Sequence, residues 1–214
     1  MNTQTKKMTT IAMLCAIAYV VMVVGRVPVV LFLKYDPKDI IITIGGFIYG
    51  PLTALIISVI VSFLEMFTVS DTGLIGAIMN MLSSCAFACT ASYIYKKKHT
   101  LSGAVYGLIA GCLLATGVML LWNYFITPIY LGYPREAVAK LLIPAFLPFN
   151  LLKGSLNGSF TLILYKPLVT ALRKSNLVPT SESNVQSRNI GIIMVSALVV
   201  VTCILLVLVM QGVI

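Results

Sequence analysis

An all-α integral membrane protein, a bundle of six transmembrane helices with one more at its C-terminus, follows from three features of this sequence. The 214 residues have a mean hydropathy of +1.02 and are 59% hydrophobic and only 10% charged, against about 25% charged in soluble domains. Apolar runs long enough to span a bilayer, about 20 residues each, recur along the chain. No period-two alternation of apolar and polar residues is present, which disfavours a membrane β-barrel.

The first run extends from Met8 to Leu33. It is too long for the apolar core of a signal peptide and no small-x-small cleavage site follows it, so it reads as a permanent span. Ile40 to Val69 is a longer stretch interrupted at Gly45-Gly46 and at Gly50-Pro51. Divided at Gly50-Pro51, it gives a short helix and a full one. Leu74 to Tyr95, Leu101 to Ile126, Leu141 to Tyr165 and Ile190 to Ile214 complete seven hydrophobic helices. Residues 1–174 form the six-helix domain, and 175–189, rich in Ser, Asn and Pro, a cytoplasmic linker. Residues 190–214 form an accessory helix with only Ser196, Thr202 and Gln211 as polar side chains.

A net charge of +9 invites a nucleic-acid reading, but the positions of the charges oppose it. Lys6-Lys7, Lys96-Lys97-Lys98 with His99, and Lys166 with Arg173-Lys174 lie in short connections or at helix ends. That is the positive-inside pattern, with lysine and arginine gathered in cytoplasmic loops. It places the N-terminus in the cytoplasm, the loops around Lys34–Lys38, Ser70–Gly73 and Tyr130–Lys140 outside, and the C-terminus outside.

Enzymatic chemistry finds little support. The five cysteines (Cys15, Cys85, Cys89, Cys112 and Cys203) all fall within apolar runs, and His99 is the only histidine. Neither a zinc site nor a resident cofactor is expected. Nucleophile elbows, metalloprotease motifs and phosphate-binding loops are absent, so the chain cannot hydrolyse ATP by itself.

Lys153 is the most informative position. It interrupts the apolar run from Leu141 to Tyr165, and an ionisable group at membrane depth is costly enough to mark a functional site by default. Asn150 and Asn157, at i−3 and i+4, share its helical stripe. Other hydrogen-bonding side chains lie at similar depth. Asn80 is near the start of the fourth helix, Trp122-Asn123-Tyr124 closes the fifth, Glu65 is near the outer end of the third, and Tyr35 and Asp36 lie in the first outer loop. Their convergence would make an outward-open pocket for a small heterocyclic ligand. Structural readings compete: a Lys153–Glu65 ion pair, interhelical hydrogen bonds from Asn80 and Asn123, and interfacial roles for Trp122 and Tyr124. In the same vein, Asp36 and Asp39 would cap the second helix and Arg26 would snorkel to headgroups.

Small residues mark close helix contacts. Gly103, Gly107 and Gly111 repeat on the fifth helix and Gly154 pairs with Gly158 on the sixth, which suits packing within the bundle. Ala12 and Ala16 on the first helix suit an internal contact or an outside partner equally.

Taken with Ala12–Ala16, Tyr35-Asp36-Pro37-Lys38-Asp39, Phe47-Ile48-Tyr49-Gly50-Pro51, Met79-Asn80 and Asn123-Tyr124-Phe125, the motif Pro148-Phe149-Asn150-Leu151-Leu152-Lys153-Gly154 resembles the S components of energy-coupling factor (ECF) transporters, of the riboflavin transporter type. The resemblance covers about residues 5–174. It implies a six-helix S-component bundle that binds riboflavin, or a related flavin such as FMN, near the extracellular side under loop lids. Asn80, Asn123, Asn150 and Lys153 would be the ligand's polar contacts, with Glu65 and Tyr35 as weaker candidates. Ala12 and Ala16 would face a transmembrane coupling protein driven by two cytoplasmic ATPases. The helix after residue 189 lies beyond the usual six. An S component for another vitamin or nucleobase, or an ion-coupled secondary transporter, are the competing functions; the latter should show an inverted repeat, and none is visible.

Overall fold

In a computed structural model the chain is described over residues 3–31, 33–69, 73–175, 177 and 190–210. It is all-α apart from one small hairpin. Among the described residues, six helical segments are long and apolar enough to cross a membrane. The expected loop residues 70–72, nearly all of the linker at 175–189, and residues 211–214 with Gln211 lie outside the described residues.

Helix α1 spans Thr3–Gly25, eight residues short of the end of its apolar run. The remainder of that run is a hairpin, β1 (Val27–Val30) paired antiparallel with β2 (Leu33–Tyr35), with Val27 opposite Tyr35. Arg26 and Pro28 explain the break. Pro28 cannot continue a helical hydrogen-bond ladder, and the β-branched valines around it favour extended backbone. Hydropathy alone reports burial here, not helix.

Helix α2 (Lys38–Tyr49) is 12 residues long, about 18 Å at 1.5 Å per residue and shorter than a bilayer core of about 30 Å. Lys38 through Phe47 are all buried, so this helix is interior rather than lipid-facing. It ends at Gly50, whose φ of +96° lies in the region glycine tolerates. Pro51 then opens α3 (Pro51–Thr68) at a position where its missing N–H costs nothing.

Helices α4 (Gly73–Lys97) and α5 (Leu101–Phe125) form the most extensive helix pair. The glycine ridge of α5 is the reason. A Cβ on Gly107 would meet the Ala91 carbonyl oxygen at 2.7 Å, and one on Gly111 the Phe87 carbonyl oxygen at 2.5 Å. Thr100 caps α5 by accepting a hydrogen bond from the Gly103 N–H at 3.1 Å.

Two short helices, α6 (Thr127–Leu131) and α7 (Arg135–Leu141), lead through a π-helical turn (Leu142–Phe146) into the long α8 (Leu147–Lys174). Gly154 and Gly158 of α8 lie against Cys112 and Leu108 of α5. The last helix, α9 (Ile190–Met210), packs along α8 and touches β1. It buries Ser196 and Cys203 and leaves most of its large apolar side chains exposed.

The main apolar core gathers Leu14, Ile42, Phe47, Ile57, Val61, Phe87 and Leu108 from five helices. A second cluster ties the hairpin (Val29, Leu33, Tyr35) to Phe146, Phe149, Leu152 and Leu156 of the α8 region and to Cys203 of α9. At the end of the bundle remote from the hairpin, the Tyr95 and Tyr165 hydroxyls lie 3.2 Å apart, and the Lys7 ammonium sits 5.7 Å above the Tyr49 ring.

Candidate functional site

The hairpin end of the bundle holds a cavity of about 80 Å³ that is partly open to solvent. Its wall combines Arg26, the hairpin side (Leu33, Lys34, Asp36), α4 (Ile75, Met79, Asn80, Ser83), α5 (Met119, Trp122), Thr127 and α8 (Phe149, Asn150, Lys153). Apolar and aromatic surfaces with a few placed polar groups are the usual make-up of a small-molecule site.

Three of the residues singled out from sequence, Asn80, Asn150 and Lys153, line this cavity. Asn150 is held by its amide, which donates to the Phe146 carbonyl at 2.8 Å. The Asn80 amide donates to Glu65 Oε1 at 2.8 Å. Trp122 is half-buried in the cavity wall, while Tyr124 stays outward at 37% exposure.

The other three lie behind the wall. Asn123 is fully buried; its amide donates to the Met119 carbonyl at 2.7 Å and its Oδ1 accepts from Thr127 at 2.9 Å. It thus positions Thr127, which does line the cavity. The Tyr35 hydroxyl donates to Asn157 Oδ1 at 2.9 Å. Glu65 is spent on protein partners: Lys38, Arg26 Nη2 at 3.1 Å and the Asn80 amide.

An ionic network beneath the cavity alters several expectations. Lys153 does not pair with Glu65. Its Nζ lies 3.4 Å from Asp36 Oδ2 and 3.9 Å from Asp39 Oδ2. Arg26 does not snorkel; it turns inward to Glu65 and to the Val69 carbonyl at 3.1 Å. Asp36 and Asp39 do not cap α2, which starts after Pro37 with no side-chain cap bond. Instead Asp39 accepts from Ser84 and, at 3.3 Å, from the Asn157 amide. Burial pushes the Asp36 carboxyl up, but Lys153, Lys38 and Arg26 outweigh it and hold the group below its usual range.

Sequence reasoning missed Lys38, which is wholly buried, because it stands beside Asp36 and Asp39 in what reads as a solvated loop. A usable signal was present. Three cations (Arg26, Lys38, Lys153) and three carboxylates (Asp36, Asp39, Glu65) fall at one depth of the predicted bundle. Charges at that depth must pair.

Ala12 and Ala16 lie exposed on α1, on the same outward face as Val20 and Val24. Among the described residues, nothing in the bundle covers that small-residue ridge.

Comparison with known proteins adds the following. The family model "ECF transporter, substrate-specific component" matches residues 6–165. The chain is 28% identical over 181 residues to "Riboflavin transporter RibU" of Staphylococcus aureus, covering 80% of this chain and 94% of that protein. It is 27% identical over 188 residues to "Riboflavin transporter FmnP" of Bacillus subtilis, covering 80% of this chain and 98% of that protein. A solved structure described as "Structure and mechanism of the S component of a bacterial ECF transporter" superposes with a TM-score of 0.66 at 29% identity, covering 79% of this chain and 99% of that one.

Proposed function

Because the chain belongs to the substrate-specific components of ECF transporters, we propose that it captures riboflavin from the extracellular side and delivers it inward. The carrying observation is the meeting of Asn80, Asn150 and Lys153, from two different helices, on one cavity walled by Trp122 and Phe149. Amides offer paired donors and acceptors to a flavin ring or its ribityl chain, and the ammonium offers donors to carbonyl or hydroxyl oxygens. Thr127, held by Asn123, adds a hydroxyl. Tyr35 and Glu65 act through Asn157 and through the ion pairs rather than on the ligand.

The protein is a multi-pass membrane transporter component and not an enzyme. In our reading the basic end of the bundle faces the cytoplasm, the cavity faces outward, and α9 leaves the C-terminus outside. The exposed Ala12–Ala16 face of α1 would dock a transmembrane coupling protein driven by two cytoplasmic ATPases, since the chain carries no phosphate-binding loop of its own.

The purified protein is expected to carry a yellow flavin or to quench riboflavin fluorescence at submicromolar ligand. No bound flavin and no quenching at micromolar ligand would end the riboflavin assignment. Quenching by FMN alone would move the substrate to the phosphorylated flavin.

A further inference from the structure

The buried ionic network contains six carboxylate oxygens, and their partners differ in one respect. Both oxygens of Glu65 are engaged, by Lys38, Arg26 and Asn80. Both oxygens of Asp39 are engaged, by Ser84 and by Asn157. Asp36 gives Oδ2 to Lys153, while its Oδ1 is buried and meets no hydrogen-bond donor among the described residues. Asp36 is also the one carboxylate of the three that lines the cavity, and it is 2% exposed. On the cationic side, the Nε of Arg26, another cavity residue, is likewise buried without an acceptor among the described residues.

A buried carboxylate oxygen without a donor carries its full desolvation cost, so such a group in a native site calls for an explanation. Structural pairing explains Asp39 and Glu65 completely and leaves half of Asp36 unused. We propose that Asp36 is a ligand-reading residue whose Oδ1 accepts a hydrogen from a neutral N–H or O–H group of the molecule in the cavity. Arg26 Nε serves an acceptor of the same ligand. The cavity thus selects a ligand presenting donor and acceptor groups together. This deepens the riboflavin reading and rests on it. Riboflavin has two sources of the required hydrogen, the imide N–H of its ring and the hydroxyls of its ribityl chain.

The test compares riboflavin, 3-methylriboflavin, which lacks the imide N–H, and lumiflavin, which lacks the ribityl hydroxyls. Binding to the full chain in detergent is followed by fluorescence quenching for wild type and Asp36→Asn. Asp36→Asn should weaken riboflavin by about tenfold or more, because Lys153 takes the one remaining amide oxygen and the NH2 group then faces the ligand's donor, which loses its charged acceptor. Whichever analogue lacks the contacted donor should be weakened far less by the same substitution, because the two changes remove one interaction. A penalty equal for all three flavins, or none for riboflavin, makes Asp36 purely structural and overturns the inference. Should the variant fail to fold, the wild type still decides: equal affinity for riboflavin and both analogues overturns it. A wild type that binds no flavin removes the riboflavin reading itself and this inference with it.

Discussion

Lys38 and Glu65 form an ion pair inside the bundle, their side chains 0% and 1% exposed. The pair joins the start of α2 to the end of α3, and Arg26, just after α1, and Asn80 of α4 attach to the same carboxylate. Removing one partner from a buried pair strands a charge, at a cost of about 3–5 kcal/mol. Glu65→Ala is therefore expected to lower the melting temperature in detergent sharply or to abolish folded protein. Glu65→Gln combined with Lys38→Met, which removes both charges of the pair, should recover part of the loss.

Lys153 and Asn150 line the same cavity but predict different variants. Lys153→Ala strands Asp36 and Asp39, so it should reduce thermal stability as well as flavin binding. Asn150→Ala removes one neutral amide whose only side-chain bond among the described residues is to the Phe146 carbonyl. It should weaken flavin binding by roughly 2- to 10-fold, the span of a neutral hydrogen bond, while the ligand-free melting temperature changes little. Comparable stability losses in both variants would remove Asn150 from the ligand contacts.

Ala12 and Ala16 offer a separation of binding from transport. Both are exposed and neither takes part in the core. Ala12→Trp and Ala16→Trp should leave flavin quenching intact and abolish uptake in cells, with loss of co-purification of the coupling protein. Unimpaired uptake would show that this face of α1 is not the docking surface.

The packing of α4 against α5 gives a contrast between two glycines of one helix. A Cβ at Gly111 would meet backbone at 2.5 Å, whereas one at Gly117 meets nothing within 4 Å. Gly111→Val should therefore sharply reduce the yield of folded protein, and Gly117→Ala should match wild type in melting and in flavin binding.

Much of the helical plan was legible because hydropathy, glycine-proline breaks and basic clusters act locally. The stripe joining Asn150, Lys153 and Asn157 was legible for the same reason, since helical spacing alone aligns these residues. Pairing was not. Lys153 and Glu65 share a depth, but depth does not fix the direction a side chain points around the bundle axis. Asp36 and Asp39 reach Lys153 because the hairpin after Gly25 brings the start of α2 into the interior, and an apolar run through Leu33 conceals that hairpin. Asn123 and Tyr35 were recognised as polar groups near the site, yet whether such a group meets ligand or protein depends on neighbours such as Thr127 and Asn157, which only the folded arrangement supplies.

The six charges beneath the cavity have an electrical consequence. Three basic side chains (Arg26, Lys38 and Lys153) face three acidic ones (Asp36, Asp39 and Glu65), so their formal charges sum to zero. One uncompensated elementary charge crossing the membrane potential would exchange about 2.3 kcal/mol per 100 mV with the field. Carrying this balanced set, with an uncharged passenger, to a new depth does almost no such work. These six side chains therefore add nothing to a voltage dependence of riboflavin transport, and any such dependence would come from charges outside the network.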